Sequence, residues 1–507
     1  MRASRDTVLA ETAREAARRF GDRAAIVADQ GWSVTYDELD RLSDEVAAGL
    51  LRRGVIEGEV VAVCLPASPE HFVAYLAVAK LGAITAAVNP RLTDAERSAV
   101  IEASAARLLV STRELATAPS SVEVEEVEVA DSQAGEILTS LRESETSVAP
   151  LAPDLDRPIA IVFTSGTTGT PKGAVFCGTQ ISFITQCDVG EAWGGGGKVM
   201  TGSALAHLGP MTKLAGNLKR GSTQYLTSAW NARSALRRIS KLGIAAIGGV
   251  PTQLALMLRD DEFDSFDLSC VNAIVIGGGP ATPALIKEAR ARFNARLAVR
   301  YSCTEAGIGT GTALDDPEED AEVSVGRPQH GVDLSVVAES GNPALTGEIG
   351  EVCLRSPAVM RGYWGDDAAS GAAFTPDGSV RTGDLGWIDE RGRLHLAGRS
   401  KERYVRGGYN VYPMEVEAVL AEHPGIASVA VVGRQDDVMG EVGVAVVVAK
   451  DGTAVPTLEE LRKFASSQLA KYKLPDEVMK VDALPNTAMD KVDRRALQAM
   501  VAKRDSS

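Results

Sequence analysis

The sequence predicts an α/β protein. It reads as a large N-terminal domain of βα-layered sheets with a small β-barrel-like subdomain, followed by a small α+β C-terminal domain. Three observations predict this. Apolar strand runs alternate with amphipathic helices through Ser302. From about 323 to 396 the helical periods vanish, and short β runs appear between Gly, Pro and Asp. After a polar, Gly-bounded connector at 398–408, a mixed pattern returns. The length of 507 residues also requires more than one core.

The elements can be justified in order. Thr35 and Glu38 form a capping-box pair, Leu39, Leu42, Val46 and Leu50 follow at helical spacing, and Gly54 is placed to stop that helix. The run at 60–65 reads as a buried strand. Ser68 and Pro69 fit the N-cap and first position of the next helix, which Gly82 ends. Residues 83–88 form a strand, Thr93 and Glu96 open another capped helix, and 108–110 is the next strand. Such repeats imply a largely parallel sheet covered by helices on both faces. Residues 113–157 are acidic and irregular and read as a surface excursion. Strand runs return at 159–163, 245–250, 273–280 and 296–302. GEIGEVCLRSP and GRLHLAG carry the β-rich subdomain; PMEVEAVLAEHPG, ASVAVVGR, VGVAVVVAK and an amphipathic segment from Thr457 build the last unit. The expected boundaries are 1–397 for the N-terminal domain, with its β-rich part at about 323–396, 398–402 for a hinge, and 403–507 for the C-terminal domain.

Composition narrows the function classes. Hydrophobic residues at 45% and charged residues at 24% describe an ordinary soluble protein. No apolar run approaches the ~18 residues of a membrane span, and the charged N-terminus lacks a signal-peptide core, so a cytoplasmic address is expected. Cys64, Cys177, Cys187, Cys270, Cys303 and Cys353 are scattered without a CxxC pair and read as reduced thiols. The five histidines form no metal-ligand pattern. A formal net charge of −15 argues against nucleic acid as a partner. It does not exclude phosphorylated substrates, because local donors hold a phosphate.

The stretch TSGTTGTPKGAV, residues 164–175, leaves the end of the strand at 159–163, where open α/β folds bind ligands. Thr164, Ser165, Thr167, Thr168 and Thr170 bring hydroxyls, Gly166 and Gly169 allow close approach of backbone N–H groups to a phosphate, and Lys172 adds a point charge. The grammar differs from that of the nucleotide-triphosphatase P-loop. Gly173 follows Lys172 where that motif has Ser or Thr, and Pro171 precedes it. By itself the stretch fits either a phosphate cradle or a flexible surface loop.

Four further motifs follow in order: YSCTE at 301–305, RTGD at 381–384, GRSKERYVRGGYNVYP at 398–413 and LPNTAMDK at 484–491. With them the chain resembles the adenylate-forming superfamily, in its acyl-CoA synthetase branch, over essentially its whole length. The resemblance implies an ATP- and Mg2+-dependent enzyme that couples a carboxylic acid to AMP, releases pyrophosphate, and passes the acyl group to the thiol of coenzyme A. An acyl-AMP ligase that loads the phosphopantetheine thiol of an acyl carrier protein is the alternative. The C-terminal domain is then mobile, swinging between the two half-reactions.

Residue roles follow from the same resemblance. Thr164, Ser165, Gly166, Thr167, Thr168, Gly169 and Lys172 match the loop that grips the β- and γ-phosphates. Glu305 matches the carboxylate that supports Mg2+, with the Thr164 hydroxyl beside it, and Thr304 a contact of the α-phosphate. Tyr301 resembles the adenine-stacking residue, next to Ser302. Gly278, Gly279 and Pro280 resemble the loop along the adenine and acyl pocket, where the family often has Ala at the position of Gly279. Asp384 resembles the ribose-hydroxyl acceptor, and Arg399 a second ribose or phosphate contact. Lys491 matches the late lysine that reaches the carboxylate and α-phosphate oxygens, and Lys401 sits at the hinge position. Gly407, Gly408 and Tyr409 resemble the segment beside the pantetheine tunnel, and His207 borders the carboxylate pocket. Without the resemblance, Glu305 reads as a solvated loop acid, Asp384 as a turn residue and Arg399 as part of a surface ion pair. Lys491 would then be an exposed lysine at a helix start, and His207 a core histidine. Two positions depart from the family. Asp490 stands where Gly precedes the lysine, and Gly178–Gln180 replaces a segment that bears His.

The acyl pocket is expected to draw on His207, Met211, Val250, Gly277, Ser302 and the segment after Glu305. There Gly307, Gly309 and Gly311 recur at period two. On an extended strand they would share a face and leave room for a long or bulky acid; the other reading is a flexible turn. No acidic anchor for an α-ammonium is evident, so a fatty, alicyclic or aryl acid is expected. A non-catalytic binding module would need damaged motifs, and Asp490 is the one candidate for damage.

Overall fold

The computed structural model describes residues 8–144, 148–149, 151–152, 154–164, 171–201, 205–450, 452–487 and 492–504. Three βα-type sheets build the large N-terminal domain. The first has six strands in the order Glu123–Glu126, Leu108–Ser111, Val60–Cys64, Ile84–Ala87, Pro158–Thr164 and Lys172–Cys177. Its strands are parallel except the last pair. The second orders Ser33–Thr35, Ala24–Val27, Thr223–Leu226 and Lys198–Thr201. The third has Ala246–Gly249, Ala273–Gly277 and Arg296–Tyr301 in parallel, extended antiparallel by Thr310–Gly311 and Arg327–Pro328.

Patterning explains the layering. Strands buried on both faces read as continuous apolar runs, and Val60–Cys64 is buried at every position. The helix Pro69–Lys80 lies inside the domain, with all 12 of its residues buried. Its last residue, Lys80, is tolerated there because its ammonium pairs with Asp40 at 2.6 Å and Asp44 at 2.7 Å. The capping boxes at Thr35–Glu38 and Thr93–Glu96 are both formed. The β-rich part is a four-stranded antiparallel sheet of Asp333–Val337, Gly350–Arg355, Val380–Ile388 and Leu394–Arg399. The small C-terminal domain centres on the long pair Ile426–Asp436 and Gly440–Ala449. The hairpin Tyr404–Arg406/Tyr409–Val411 and the strand Glu477–Lys480 join it. Among the described residues, no helix is long and apolar enough to cross a membrane.

The segment 113–157 is more than a surface excursion. Its Glu123–Glu126 strand adds a charged parallel edge to the first sheet, and Ile137, Leu138 and Leu141 are buried in the main core. The alternating VEVEEVEV at 122–129 is the edge-strand signal, masked by its acidity. Gly49 makes the docking possible: a Cβ there would lie 1.7 Å from the Leu141 carbonyl oxygen. Gly49→Ala is therefore expected to lower stability by about 1–3 kcal/mol, the usual effect of overpacking, read as a lower urea midpoint.

His71 is 2% exposed, and neither ring nitrogen has a hydrogen-bond partner. Burial pulls its pKa down from 6.5 to about 4. A group whose folded pKa is depressed gives stability that is complete above its unfolded pKa and is lost as pH falls through the folded one. The His71 contribution is thus present above about pH 6.5 and disappears toward pH 4, with a total of about 3 kcal/mol. His71→Leu is expected to flatten that limb of the stability profile and to raise the urea midpoint at pH 7. Neighbouring Glu70, which burial raises, acts in the opposite direction and is common to both proteins. Parallel pH profiles for the two would rule the effect out.

Candidate active site

The site forms where the ends of three sheets meet. Pro158–Thr164 pairs antiparallel with Lys172–Cys177, with Thr164 opposite Lys172. The chain therefore leaves the sheet edge at Thr164 and returns to the same edge at Lys172. Pro171 and the absent hydroxyl after Lys172 are explained by this strand-to-strand connection, which differs from a strand-to-helix P-loop. Gly173 is required because a Cβ would lie 2.5 Å from Ile161 Cγ2. Ser165, Gly166, Thr167, Thr168, Gly169 and Thr170 lie outside the described residues.

A second group descends from the end of Arg296–Tyr301. Tyr301, 8% exposed, donates its hydroxyl to Asp384 Oδ2 at 2.7 Å. Arg399 donates from Nε to Asp384 Oδ1 at 3.0 Å. Asp384 and Arg399 face each other across adjacent strands of the β-rich sheet, so strand register fixes this pair. Burial, then the Asp384 charge, raises the Tyr301 phenol far above its ordinary value, so it remains a donor.

Ser302 donates to the Cys303 carbonyl at 3.1 Å, and Thr304–Ala306 forms a single 3-10 turn. That turn presents Glu305, whose Oε1 accepts from the Tyr363 hydroxyl at 2.8 Å. The Lys172 ammonium lies over the same tyrosine ring, 5.1 Å from its centroid. The thiol of Cys303 is raised well above its ordinary value, first by burial and then by the Glu305 charge. Tyr363 went unremarked in the sequence. It sits in an irregular RGYW segment whose Gly signals only a turn, and its partners are distant along the chain.

Gly278, with φ +77°, follows the strand Ala273–Gly277, and Gly278–Pro280 is an exposed loop beside Val250 and Pro251. A Cβ on Gly279 would meet Pro251 Cδ at 3.6 Å, an ordinary contact, so Gly here leaves space that Ala would fill. His207 is the N-cap residue of the helix Leu208–Arg220 and is half-buried. Met211, 1% exposed, packs in the core. Gln180 has a local explanation: it accepts from Cys177 N–H at 2.9 Å and donates to the Val359 carbonyl at 3.2 Å, tying the helix Gly178–Val189 to the RGYW side of the site.

Gly307, Gly309 and Gly311 do not open a roomy pocket. Only Thr310–Gly311 is strand, and Gly307 has φ +71°. A Cβ at Gly307 would lie 2.4 Å from the Ala358 carbonyl oxygen, and one at Gly309 2.5 Å from that of Tyr301. A Cβ at Gly311 would lie 2.6 Å from Arg300 Nη1. These glycines admit neighbouring protein atoms and leave no space for substrate.

Lys401 lies in the turn between Leu394–Arg399 of the β-rich sheet and Tyr404–Arg406 of the small domain. Gly407 and Gly408, with φ +55° and +84°, form a two-residue hairpin turn. Tyr409 is exposed and stacks on Tyr472 with centroids 4.6 Å apart. Lys491 and Asp490 lie outside the described residues.

A layered α/β body, in which the buried carboxylate of Asp384 is held by Tyr301 and Arg399, is followed by a small separate domain. The chain belongs to the AMP-binding enzyme family, which matches residues 13–364, and the AMP-binding enzyme C-terminal domain matches 415–491. It is 32% identical over 483 residues to the fatty acid–[acyl-carrier-protein] ligase ScoC of Streptomyces coeruleorubidus, covering 92% of both chains. It is 30% identical over 511 residues to 4-coumarate–CoA ligase 2 of Petroselinum crispum, covering 96% of this chain and 93% of the relative. The crystal structure of ATP-bound MatB from Rhodopseudomonas palustris superposes with a TM-score of 0.86 at 26% identity, covering 97% of this chain and 98% of that one.

Proposed function

We propose that this chain is an ATP-dependent acyl-CoA ligase acting on a fatty, alicyclic or aryl carboxylic acid. The carrying observation is the Asp384 carboxylate, held by Tyr301 and Arg399, close to the Glu305–Tyr363–Lys172 chain. The strand that carries Asp384 packs against the turn that carries Glu305, which supports reading the two carboxylates as parts of one site. Asp384 accepts the ribose hydroxyls and Tyr301 borders the adenine. Lys172, with the loop from Thr164 to Gly169, takes the β- and γ-phosphates.

A carboxylate activates poorly because its oxygen leaves badly. In the first step the acid's oxygen attacks the α-phosphorus and pyrophosphate leaves; in the second, a thiolate attacks the acyl carbon and AMP leaves. Lys491 offsets negative charge where the two anions meet, and Thr304 reaches the α-phosphate. His207 borders the carboxylate. Glu305 and the Thr164 hydroxyl are hard oxygen donors of the kind that hold Mg2+ together with phosphates and water. The Glu305 carboxylate keeps acceptor capacity beyond the oxygen given to Tyr363. When bound, Mg2+ would neutralise phosphate charge in the first step. Rotation at Lys401 would then withdraw Lys491 and bring Gly407, Gly408 and Tyr409 toward the thiol.

Curated relatives divide between coenzyme A and carrier-protein acceptors, so the acceptor is the point to test. Pyrophosphate release is measured with a panel of acids, with coenzyme A or with a phosphopantetheinylated carrier protein. Coenzyme A thioester formation supports the reading. Adenylate that accumulates with coenzyme A but is consumed by the carrier replaces it with the carrier-protein ligase. A cytoplasmic location accords with either.

A further inference from the structure

We propose that Tyr363 is a positioning residue that keeps Lys172 and Glu305 apart and aims each at the nucleotide, an inference that rests on the phosphate and metal roles proposed above. Lys172 and Glu305 carry opposite charges at one edge of the cleft. If nothing held them apart they would pair with each other, and the phosphates and the metal would each have to displace a partner. Tyr363 meets both at once. Its hydroxyl donates to Glu305 Oε1 at 2.8 Å, and its ring takes the Lys172 ammonium at 5.1 Å from the centroid. Among the described residues, the side-chain contacts of Lys172 and Glu305 here both run to Tyr363.

The backbone fixes Tyr363 in that place. Met360 N–H donates to the Glu305 carbonyl at 2.8 Å, anchoring the start of the RGYW segment to the turn that bears the carboxylate. Arg361 N–H donates to the Val175 carbonyl and Val175 N–H to that of Gly362, both at 3.0 Å. Trp364 N–H donates to the Gly173 carbonyl at 2.8 Å. The segment is thus a rail between the strand that begins at Lys172 and the turn that carries Glu305. One aromatic side chain thereby gives a cation a π face and a carboxylate a hydrogen bond, and both keep capacity for ligand.

The test uses the full chain, with ATP and Mg2+ as probes. Calorimetry reads ATP affinity without metal, and a Mg2+ titration reads the concentration for half-maximal pyrophosphate release. Tyr363→Phe keeps the ring and loses the donor. It is expected to leave metal-free ATP affinity within about twofold and to raise the Mg2+ requirement about tenfold. Tyr363→Leu also loses the ring. It is expected to weaken metal-free ATP binding about tenfold, and adding Glu305→Gln to it should restore that binding by removing the carboxylate that captures Lys172. Lys172→Ala alone tests the underlying reading. If Lys172→Ala weakens ATP binding while both Tyr363 variants leave ATP affinity and Mg2+ requirement unchanged, the positioning role is overturned and the phosphate role stands. If Lys172→Ala itself has no effect, the phosphate reading falls first. An additive loss in the Tyr363→Leu/Glu305→Gln protein, or an equal loss of every quantity alongside a lower unfolding midpoint, assigns Tyr363 to the scaffold alone. Should Tyr363→Leu fail to fold, the Mg2+ titration of Tyr363→Phe decides.

Discussion

Lys491→Ala is expected to lower adenylate formation at least about 10²-fold while leaving thioester formation from preformed acyl-AMP near its normal rate. The first half-reaction brings a carboxylate against a phosphate, and both are anions. A cation about 4 Å away at an effective dielectric near 20 is worth roughly 4 kcal/mol. About two-thirds of that supplies the roughly 2.7 kcal/mol that a hundredfold change requires. The second half-reaction starts from a mixed anhydride that already carries its leaving group, so the ammonium is not needed there. Single-turnover assays of each half separate the two. Equal loss in both would reject the assignment and leave Lys491 as a surface lysine.

Asp384→Ala should behave differently, impairing both halves. Its carboxylate accepts from Tyr301 at 2.7 Å and from Arg399 at 3.0 Å, and it is 7% exposed. Truncating one partner of a buried, hydrogen-bonded charged group costs about 2–5 kcal/mol. At the lower part of that range, kcat/KM for ATP falls by about 10²-fold. Because ATP and acyl-AMP carry the same ribose, single-turnover thioester formation should also slow. Asp384→Asn keeps an acceptor for the Tyr301 hydroxyl and loses the charge opposite Arg399, so it should fall between wild type and Ala. A KM for ATP within about twofold of normal in the Ala variant would leave Asp384 with a structural role alone, joining Tyr301 to Arg399.

The contrast between these predictions follows from where the residues lie. Asp384 and Arg399 were legible through the ordered motifs RTGD and GRSKERYVRGGYNVYP, and the structure adds that they are cross-strand neighbours. Tyr363 was not legible, because its contacts to Glu305 and Lys172 join residues far apart along the chain, 58 residues apart in the first case. The three glycines after Glu305 were misread for a related reason. Period two says which side a Cβ would occupy on a strand, but not whether backbone already fills that space.

The sequence by itself determined the elements and the family. Caps at Thr35 and Thr93, apolar runs such as 60–65, and five ordered motifs depend on neighbours within a few residues, and local chemistry reads them directly. Only the tertiary structure decided that 113–157 contributes an edge strand and buried side chains, that Gly49 must lack a Cβ, and that Tyr363 stands between a cation and a carboxylate. Those outcomes depend on atoms brought together by sheet packing. Close approach is a property of the assembled layers, and no periodicity along one chain encodes it.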